Sequence, residues 1–502
     1  MMTMGLGRAL VVPAAGVAAR AMGTAGFATE AAGGKYDYIL AGGGTAACVL
    51  ANRLSKWAPD KRILVLEAGK DNFDHPYVKI PSAIARLFKS DLDWNFTSAK
   101  QEEPGLGSNH GGVYLCRGKV LGGSSCTNVL LYNRGTANDY DGWECPGWGA
   151  KDVLKYFMRS ENNHDASSSA KFHSRDGPFD VNPIQYKSVL TESFLDAGVS
   201  FGFEKNDDFN NWDRSQQGVG PFHVAQHRGV RTSAASAYLS EVMGKSNVTI
   251  LTEALVKKVK LEGKHARGVH FSKAGVDATA LLKDGGEVIL TAGAVGSPHI
   301  LMLSGIGPRE HLGEHGIACV ADLPVGSNLQ DHPAALVTYT IDKPLALTDE
   351  FKFGGLGIPM LPNPMPILRW FFGGSGPLTS VGCDHGGFFK TDDSKAEPDL
   401  VSHMPPFLPF PFITHPPKPP SHFPCISDGQ IIPNRPLSSP LSFPLSFPLL
   451  RLCSKCASFR ASPRTPTGSA TTPNTPRSGG SGLRASPFKT SACDPKARGT
   501  SD

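Results

Sequence analysis

One short turn sets the first chemical expectation. Gly42-Gly43-Gly44-Thr45-Ala46-Ala47 carries the pattern G-x-G-x-x-A. In that pattern the first glycine permits a tight turn and the second lets backbone approach a pyrophosphate. The closing alanine keeps the next helix close to its strand. N–H groups at the helix start then face the phosphates. Glu67 lies 25 positions after Gly42, about where an acid meets ribose hydroxyls. A second loop, Arg117-Gly118-Lys119-Val120-Leu121-Gly122-Gly123-Ser124-Ser125-Cys126-Thr127-Asn128, is rich in glycine and hydroxyls. Small residues let backbone lie against a flat ring, with donor N–H groups at its polar edge. Taken alone, that loop fits a phosphate nest equally well. A third segment runs from Ala292-Gly293 to Gly307.

The elements that must position these residues are legible around them. Tyr38–Ala41 is an apolar strand entering the glycine turn, and Cys48–Leu54 is apolar at helical spacing. A second strand, Arg62–Leu66, ends at Glu67, and the strand Glu287–Leu290 leads into Ala292. A glycine turn of purely structural use needs neither flanking strands nor a terminal acid. Both are present, so a dinucleotide site is expected.

At this point the sequence resembles the glucose–methanol–choline (GMC) oxidoreductase family of FAD enzymes. The resemblance runs from about Tyr36 to Leu400. Gly293–Gly307 fits the family's second signature throughout, and Asn328-Leu329-Gln330-Asp331-His332 follows it. Gly118–Asn128 fits the first signature, except that Thr127 stands where an aliphatic residue is usual. The resemblance implies bound FAD. Its contacts would come from Gly42, Gly44, Thr45, Ala46, Glu67, Ala68, Arg117, Val120, Gly122, Gly123, Thr127, Asn128, Val129, Leu130, Val256, Ala292 and Gly293. Val256 matches the family's adenine-side strand, which is compatible with a plain core role. The implied fold is α/β: a Rossmann-like FAD-binding domain with an interleaved α+β substrate domain built on an antiparallel sheet. The expected division is 36–335 for the FAD-binding part with its interleaved segments, and 336–404 for a partial substrate domain.

Within the family, five stretches look more like the algal fatty acid photodecarboxylases than like choline or alcohol dehydrogenases. They are Leu92–Asn95, Leu131–Gly135, Asp139–Asp141, Asp208–Trp212 and Leu378–Asp384. That likeness implies blue-light-driven decarboxylation of a long-chain fatty acid. Two alternatives stay open: an FAD-dependent alcohol or choline-type dehydrogenase, and a non-catalytic flavin-binding fragment. The dehydrogenase would need a C-terminal histidine, and the family pattern fades after Leu400. Cys493-Asp494-Pro495-Lys496 resembles the neighbourhood of the photodecarboxylase cysteine, but an acid stands where the family has arginine. Catalytic residues are therefore left unassigned.

Composition bounds the partners. The 502 residues carry 50 Lys+Arg against 45 Asp+Glu, a formal charge of +5. Alone, that would suit a nucleic-acid or membrane partner. Its location argues otherwise: residues 405–502 hold 11 basic and 3 acidic residues, leaving residues 1–404 at −3. No nucleic acid is expected, peripheral membrane contact stays open, and oligomeric state has no signature. No apolar run reaches the ~18 residues of a membrane span. Residues 1–29 contain no acid and two arginines, Arg8 and Arg20. A transit peptide over residues 1–34 is expected, to the chloroplast, with the mitochondrion as the alternative. The apolar stretch Ala9–Ala19 suits a secretory segment less well, because Pro13 interrupts it.

The segment 405–502 holds 20 of the 40 prolines and no helical or strand period, so disorder is expected there. Cys453 and Cys456 form a lone C-x-x-C without a second pair, so no metal is expected. Pro463–Arg477 can be encoded by a message whose neighbouring frame reads Ala-Pro-Asp-Pro-Asp-Gly-Val-Ser-Tyr-Tyr-Thr-Lys-Tyr-Ala-Glu. That peptide looks like photodecarboxylase sequence. The Pro/Ser/Phe/Leu-rich run before it resembles a translated pyrimidine-rich intron end. The expectation is a retained intron followed by a frame error. Transcript sequencing tests it: a spliced message that still encodes this segment contradicts it.

Overall fold

The computed structural model describes residues 34–71, 75–99, 112–337, 339, 341–351 and 363–404, and the backbone of 426–427 and 430–431. The expected transit peptide, the lone C-x-x-C, Cys493 and nearly all of the proline-rich segment lie outside the described residues.

A six-stranded sheet forms the centre. Its strands are β1 (Lys35–Ala41), β2 (Ile63–Leu66), β3 (Val248–Leu251), β4 (Ala254–Glu262), β5 (His265–Lys273) and β6 (Val276–Leu290), in the spatial order β3-β2-β1-β6-β5-β4. β3, β2, β1 and the second half of β6 run parallel. β4, β5 and the first half of β6 form an antiparallel meander. β2 is buried along its whole length, as expected of a central parallel strand covered on both faces.

One face packs α2 (Gly293–Leu303) through Ile300 against Ile39, Leu64, Leu66, Val256, Val269 and Phe271. The other packs α1 (Thr45–Trp57), through Ala47, Cys48 and Ala51, with the wide helical turn Ala235–Leu239. Small residues on α1 let it lie close to Leu40 and Val65. The strand read from sequence as Glu287–Leu290 is the end of β6, which starts at Val276. A register shift opposite Tyr36 and Tyr38 lets one strand serve both the meander and the parallel sheet.

The interleaved layer comes from several separate stretches. Gly218–Pro221, His385–Phe389 and Leu400–Met404 form an antiparallel three-stranded sheet. Phe209, Phe222 and Phe388 pack together against it, with ring centroids 5.1 to 6.1 Å apart. The expected antiparallel substrate sheet is therefore present. Among the described residues no helix is long and apolar enough to cross a membrane.

A buried charge network ties this layer together. Arg134 Nη2 donates to Glu161 Oε2 at 3.0 Å and its Nη1 to the Phe172 carbonyl at 2.6 Å. His173 sits between two carboxylates, with Nδ1 2.9 Å from Glu161 Oε1 and Nε2 3.1 Å from Asp208 Oδ2. His223 Nε2 lies 3.0 Å from Asp165 Oδ2. Burial works to lower the His173 pKa. Its bonds to Asp208 and Glu161 override that and raise it to about 9. A histidine raised in the fold contributes stability fully below its unfolded value of ~6.5, lost as pH climbs. The melting temperature should therefore fall as pH rises from ~6.5 through about 9. His173→Gln should be less stable at the low-pH end by ~3 kcal/mol, as for a broken buried pair, and its melting temperature should lose most of that slope. Thermal melts across this range check it, and equal slopes for the two proteins would contradict it.

Candidate functional site

Four loops meet at the mouth of the central sheet. The glycine turn leaves β1, with Gly42 N donating to the Leu66 carbonyl at 2.8 Å. Glu67 ends β2 and is 6% exposed. Its Oε2 accepts from Gly43 N and its Oε1 from Gly69 N, both at 2.8 Å. Burial raises the Glu67 pKa, and the two backbone bonds work against that rise. The loop 117–128 is latched on next: Gly122 N donates to the Gly43 carbonyl at 2.9 Å and Leu121 N to the Lys70 carbonyl at 3.0 Å. From the end of β6, Thr291 N donates to the Ala41 carbonyl at 3.0 Å and Thr291 Oγ1 to the Gly42 carbonyl at 2.7 Å.

Two glycines are required by contact. Gly42 has φ +109°, and a Cβ there would sit 2.6 Å from Ala292 Cα. Gly123 has φ +59°, and its Cβ would sit 2.8 Å from Gly44 Cα. Both conformations and both approaches exclude a side chain. The outward side of the same junction is open. A Cβ on Gly44 would first meet an atom at 3.5 Å, and one on Gly293 would meet nothing within 4 Å. Thr45, Ala46, Ser124, Asn128, Gly293 and Ala294 are exposed, while Gly43, Ala47, Gly123 and Ser125 behind them are buried. The N-cap Gly44 offers no side-chain hydrogen bond, so the first N–H groups of α1 face this opening without a cap. Exposed small residues, free helix N–H groups and a buried acid fit an adenine dinucleotide lying across the sheet end.

The structure brings together Gly42, Gly44, Thr45, Ala46, Glu67, Ala68, Val120, Gly122, Gly123, Ala292 and Gly293. Val256 lies on β4 just past Ala254, whose N donates to the Glu67 carbonyl at 2.8 Å. The side chains of Val256, Val120 and Leu130 belong to apolar clusters. These three residues could reach a cofactor only through backbone. Thr127 is buried, and Val129 is half-buried against Val120 and Cys126. Arg117 Nη1 is held by the Cys116 carbonyl at 2.7 Å.

Sequence reasoning missed Arg231. It is 5% exposed, on the hairpin strand Val230–Arg231. Its Nη1 donates to Asn128 Oδ1 at 2.7 Å and to the Ser125 carbonyl at 3.3 Å, and its Nε to the Val78 carbonyl at 2.9 Å. Nη2 is buried without a hydrogen-bond partner. No carboxylate among the described residues pairs with it. Burial lowers its pKa to about 10, which leaves it charged at neutral pH. It lines a cavity of about 220 Å³ with Lys79, Ser233, Ser236 and Ser240. The available signal was one arginine at the head of a small-residue run, Arg231-Thr232-Ser233-Ala234-Ala235.

Comparison with known proteins agrees with this geometry. Residues 36–334 match the family described as GMC oxidoreductase. The chain is 40% identical over 394 residues to a chloroplastic fatty acid photodecarboxylase of Chlamydomonas reinhardtii, covering 76% of this chain and 62% of the relative. It is 38% identical over 379 residues to an alcohol dehydrogenase [acceptor] of Pseudomonas putida, covering 74% and 65%. The crystal structure of pyridoxine 4-oxidase from Mesorbium loti superposes with a TM-score of 0.60 at 28% identity, over 74% of this chain and 66% of that one. The chain thus spans less than two thirds of the length of these relatives.

The junction yields a direct test. Glu67→Gln turns one acceptor into a donor aimed at a backbone N–H, at a cost of about 1–3 kcal/mol. Gly123→Ala adds a clash at positive φ. Both should lower the melting temperature and the flavin absorbance retained per mole of protein. Wild-type flavin content in Glu67→Gln would contradict the assigned role.

Proposed function

The chain belongs to the GMC oxidoreductase family, and from that premise we propose that it uses FAD to decarboxylate long-chain fatty acids to hydrocarbons in blue light. The observation that carries this reading is how the photodecarboxylase-like stretches assemble. Arg134 N donates to Asn210 Oδ1 at 2.9 Å, and Asn210 Nδ2 to the Tyr132 carbonyl at 3.1 Å. Trp212 Nε1 donates to the Gly135 carbonyl at 2.8 Å, and Tyr140 Oη to the Arg134 carbonyl at 2.6 Å. Three of the five stretches that set this chain apart from dehydrogenase-like sequences, Leu131–Gly135, Asp139–Asp141 and Asp208–Trp212, thus support one another in space.

Bound FAD supplies light absorption and a reversible one-electron acceptor. The chain's own residues position it. Gly42–Ala47 and the N-terminus of α1 would hold the pyrophosphate, Glu67 the ribose, and the loop from Arg117 to Leu130 the ring. Val256, Ala292 and Gly293 would line the far side. Arg231 is a positioning residue: it fixes the Asn128 side chain and places an unpaired positive charge behind the ring loop. In the reaction the carboxylate loses one electron, its C–C bond breaks to release CO2, and the alkyl radical regains an electron and a proton. The balance needs no external oxidant. The proposed division of labour is residues 36–335 for FAD and 336–404 for substrate. Plastid import of a leader over residues 1–34 goes with this reading.

The second reading is dark, acceptor-dependent oxidation of an alcohol. Near-equal identity to the Pseudomonas putida enzyme over the same span favours it. The purified chain, with flavin content measured, should be incubated with a long-chain fatty acid in blue light and in the dark. Light-dependent hydrocarbon supports the proposal, and Arg231→Met should lower its yield at least ~10-fold. Dark alcohol oxidation supports the second reading. Bound flavin with neither activity leaves a cofactor-binding chain without turnover and overturns both.

A further inference from the structure

Away from the glycine turn, three side chains from three strands converge. His164 follows the strand Glu161–Asn163, Asp180 is central in Phe179–Val181, and His227 ends Gln226–His227. His164 Nε2 lies 2.7 Å from Asp180 Oδ1, and His227 Nδ1 lies 3.8 Å from the same oxygen. The two imidazole centroids are 4.8 Å apart. One nitrogen from each ring and one carboxylate oxygen all lie within 4.8 Å of one another.

We propose that His164, Asp180 and His227 bind a borderline divalent cation of the Zn²⁺ class. Two imidazoles and one carboxylate suit that class, whereas Ca²⁺ and Mg²⁺ prefer more oxygens. Bonds of ~2.0–2.1 Å in tetrahedral geometry set ligand atoms ~3.3 Å apart. The contacts at 2.7 and 3.8 Å bracket that spacing, so small side-chain rotations admit the ion. His227 Nδ1 is hidden from solvent and has no hydrogen-bond partner. A buried, unsatisfied ring nitrogen is costly, and a cation bound to it removes the cost.

The backbone beneath is fixed. Glu161–Asn163 pairs with Phe179–Val181 residue for residue, and His164 N donates to the Val181 carbonyl at 2.8 Å. Asn162 Nδ2 donates to Asp180 Oδ1 at 2.8 Å and so orients the carboxylate. His164 is exposed, which leaves a coordination position for water. The second histidine-rich cluster, His311, Glu314 and His315, is exposed throughout on a six-residue helix and makes a natural comparator.

The test uses the full chain after chelator treatment. Co²⁺ serves as the spectroscopic probe and Zn²⁺ is titrated by calorimetry. One equivalent should bind with the visible absorption of a nitrogen- and oxygen-ligated Co²⁺. His227→Ala and Asp180→Asn should each weaken binding at least ~10-fold, and His311→Ala/His315→Ala should leave it unchanged. Metal-free melts establish which variants are folded, and Asp180→Asn keeps the size and hydrogen bonding of the site if His227→Ala does not fold. Undiminished binding in a folded site variant overturns the proposal, as does the absence of binding to the wild-type chain.

Discussion

The Glu67 carboxylate accepts one N–H from the glycine turn and one from the chain leaving β2, and the cofactor-facing half of the molecule hangs on that pair of bonds. A carboxylate can satisfy two buried N–H groups and still accept further bonds. No other side chain of its size can do so. With Gly43 held, its carbonyl points where Gly122 N can donate to it. That bond brings Gly123 against Gly44 at a distance that only two glycines tolerate. The strand-end acid expected to meet a ribose is therefore first the clamp that gives the pyrophosphate turn its shape.

This junction was legible in the sequence because its parts are local. The turn, its flanking strands and Glu67 lie within about thirty residues, and each strand or helix carries its own period. The strand β6 was only half legible. Gly285 and Gly286 look like a turn, yet the chain passes through a register shift there and continues as strand. Turn composition does not distinguish a bulge from a reversal. Arg231 was illegible for another reason. Nothing near it in sequence shows that Asn128, 103 residues earlier, supplies its acceptor. The His164, Asp180 and His227 cluster has the same character: its ligands come from three strands and obey no motif spacing.

The interleaved layer depends on charge where the central sheet depends on apolar burial. Arg134, Glu161, His173 and Asp208 come from four separate stretches and are all shielded from solvent. Such pairs recover little net stability after desolvation, but breaking one leaves an uncompensated buried charge. A network of this kind penalises wrong pairings of the stretches more than it rewards the right one. That suits a layer whose segments alternate along the chain with those of the FAD-binding sheet. It also explains why the motif Asp208–Trp212 mixes an ionic residue with Asn210 and Trp212, whose side chains bind only backbone groups.

Arg231 bears on the chemistry in a way that family membership does not. A buried guanidinium with one unpaired nitrogen and no neighbouring carboxylate raises the potential of its surroundings, and low local polarity magnifies the effect. Anything that gains negative charge beside the loop 117–128 is stabilised by it, and so is a carboxylate drawn toward that loop. In the proposed reading this charge would hold a fatty carboxylate near the loop, and in the second reading it would stabilise the negative charge that a hydride brings to the ring. What separates the two is the redox balance. Decarboxylation returns the electron to its own product, so a site serving it needs to hold the radical and exclude water, with no base to remove a hydroxyl proton. Alcohol oxidation needs that base. Among the described residues around Asn128, the donors to its side chain are a guanidinium and a backbone N–H, and neither can take up a proton. An alcohol-oxidising site would therefore take its base from residues other than those that hold the Asn128 side chain.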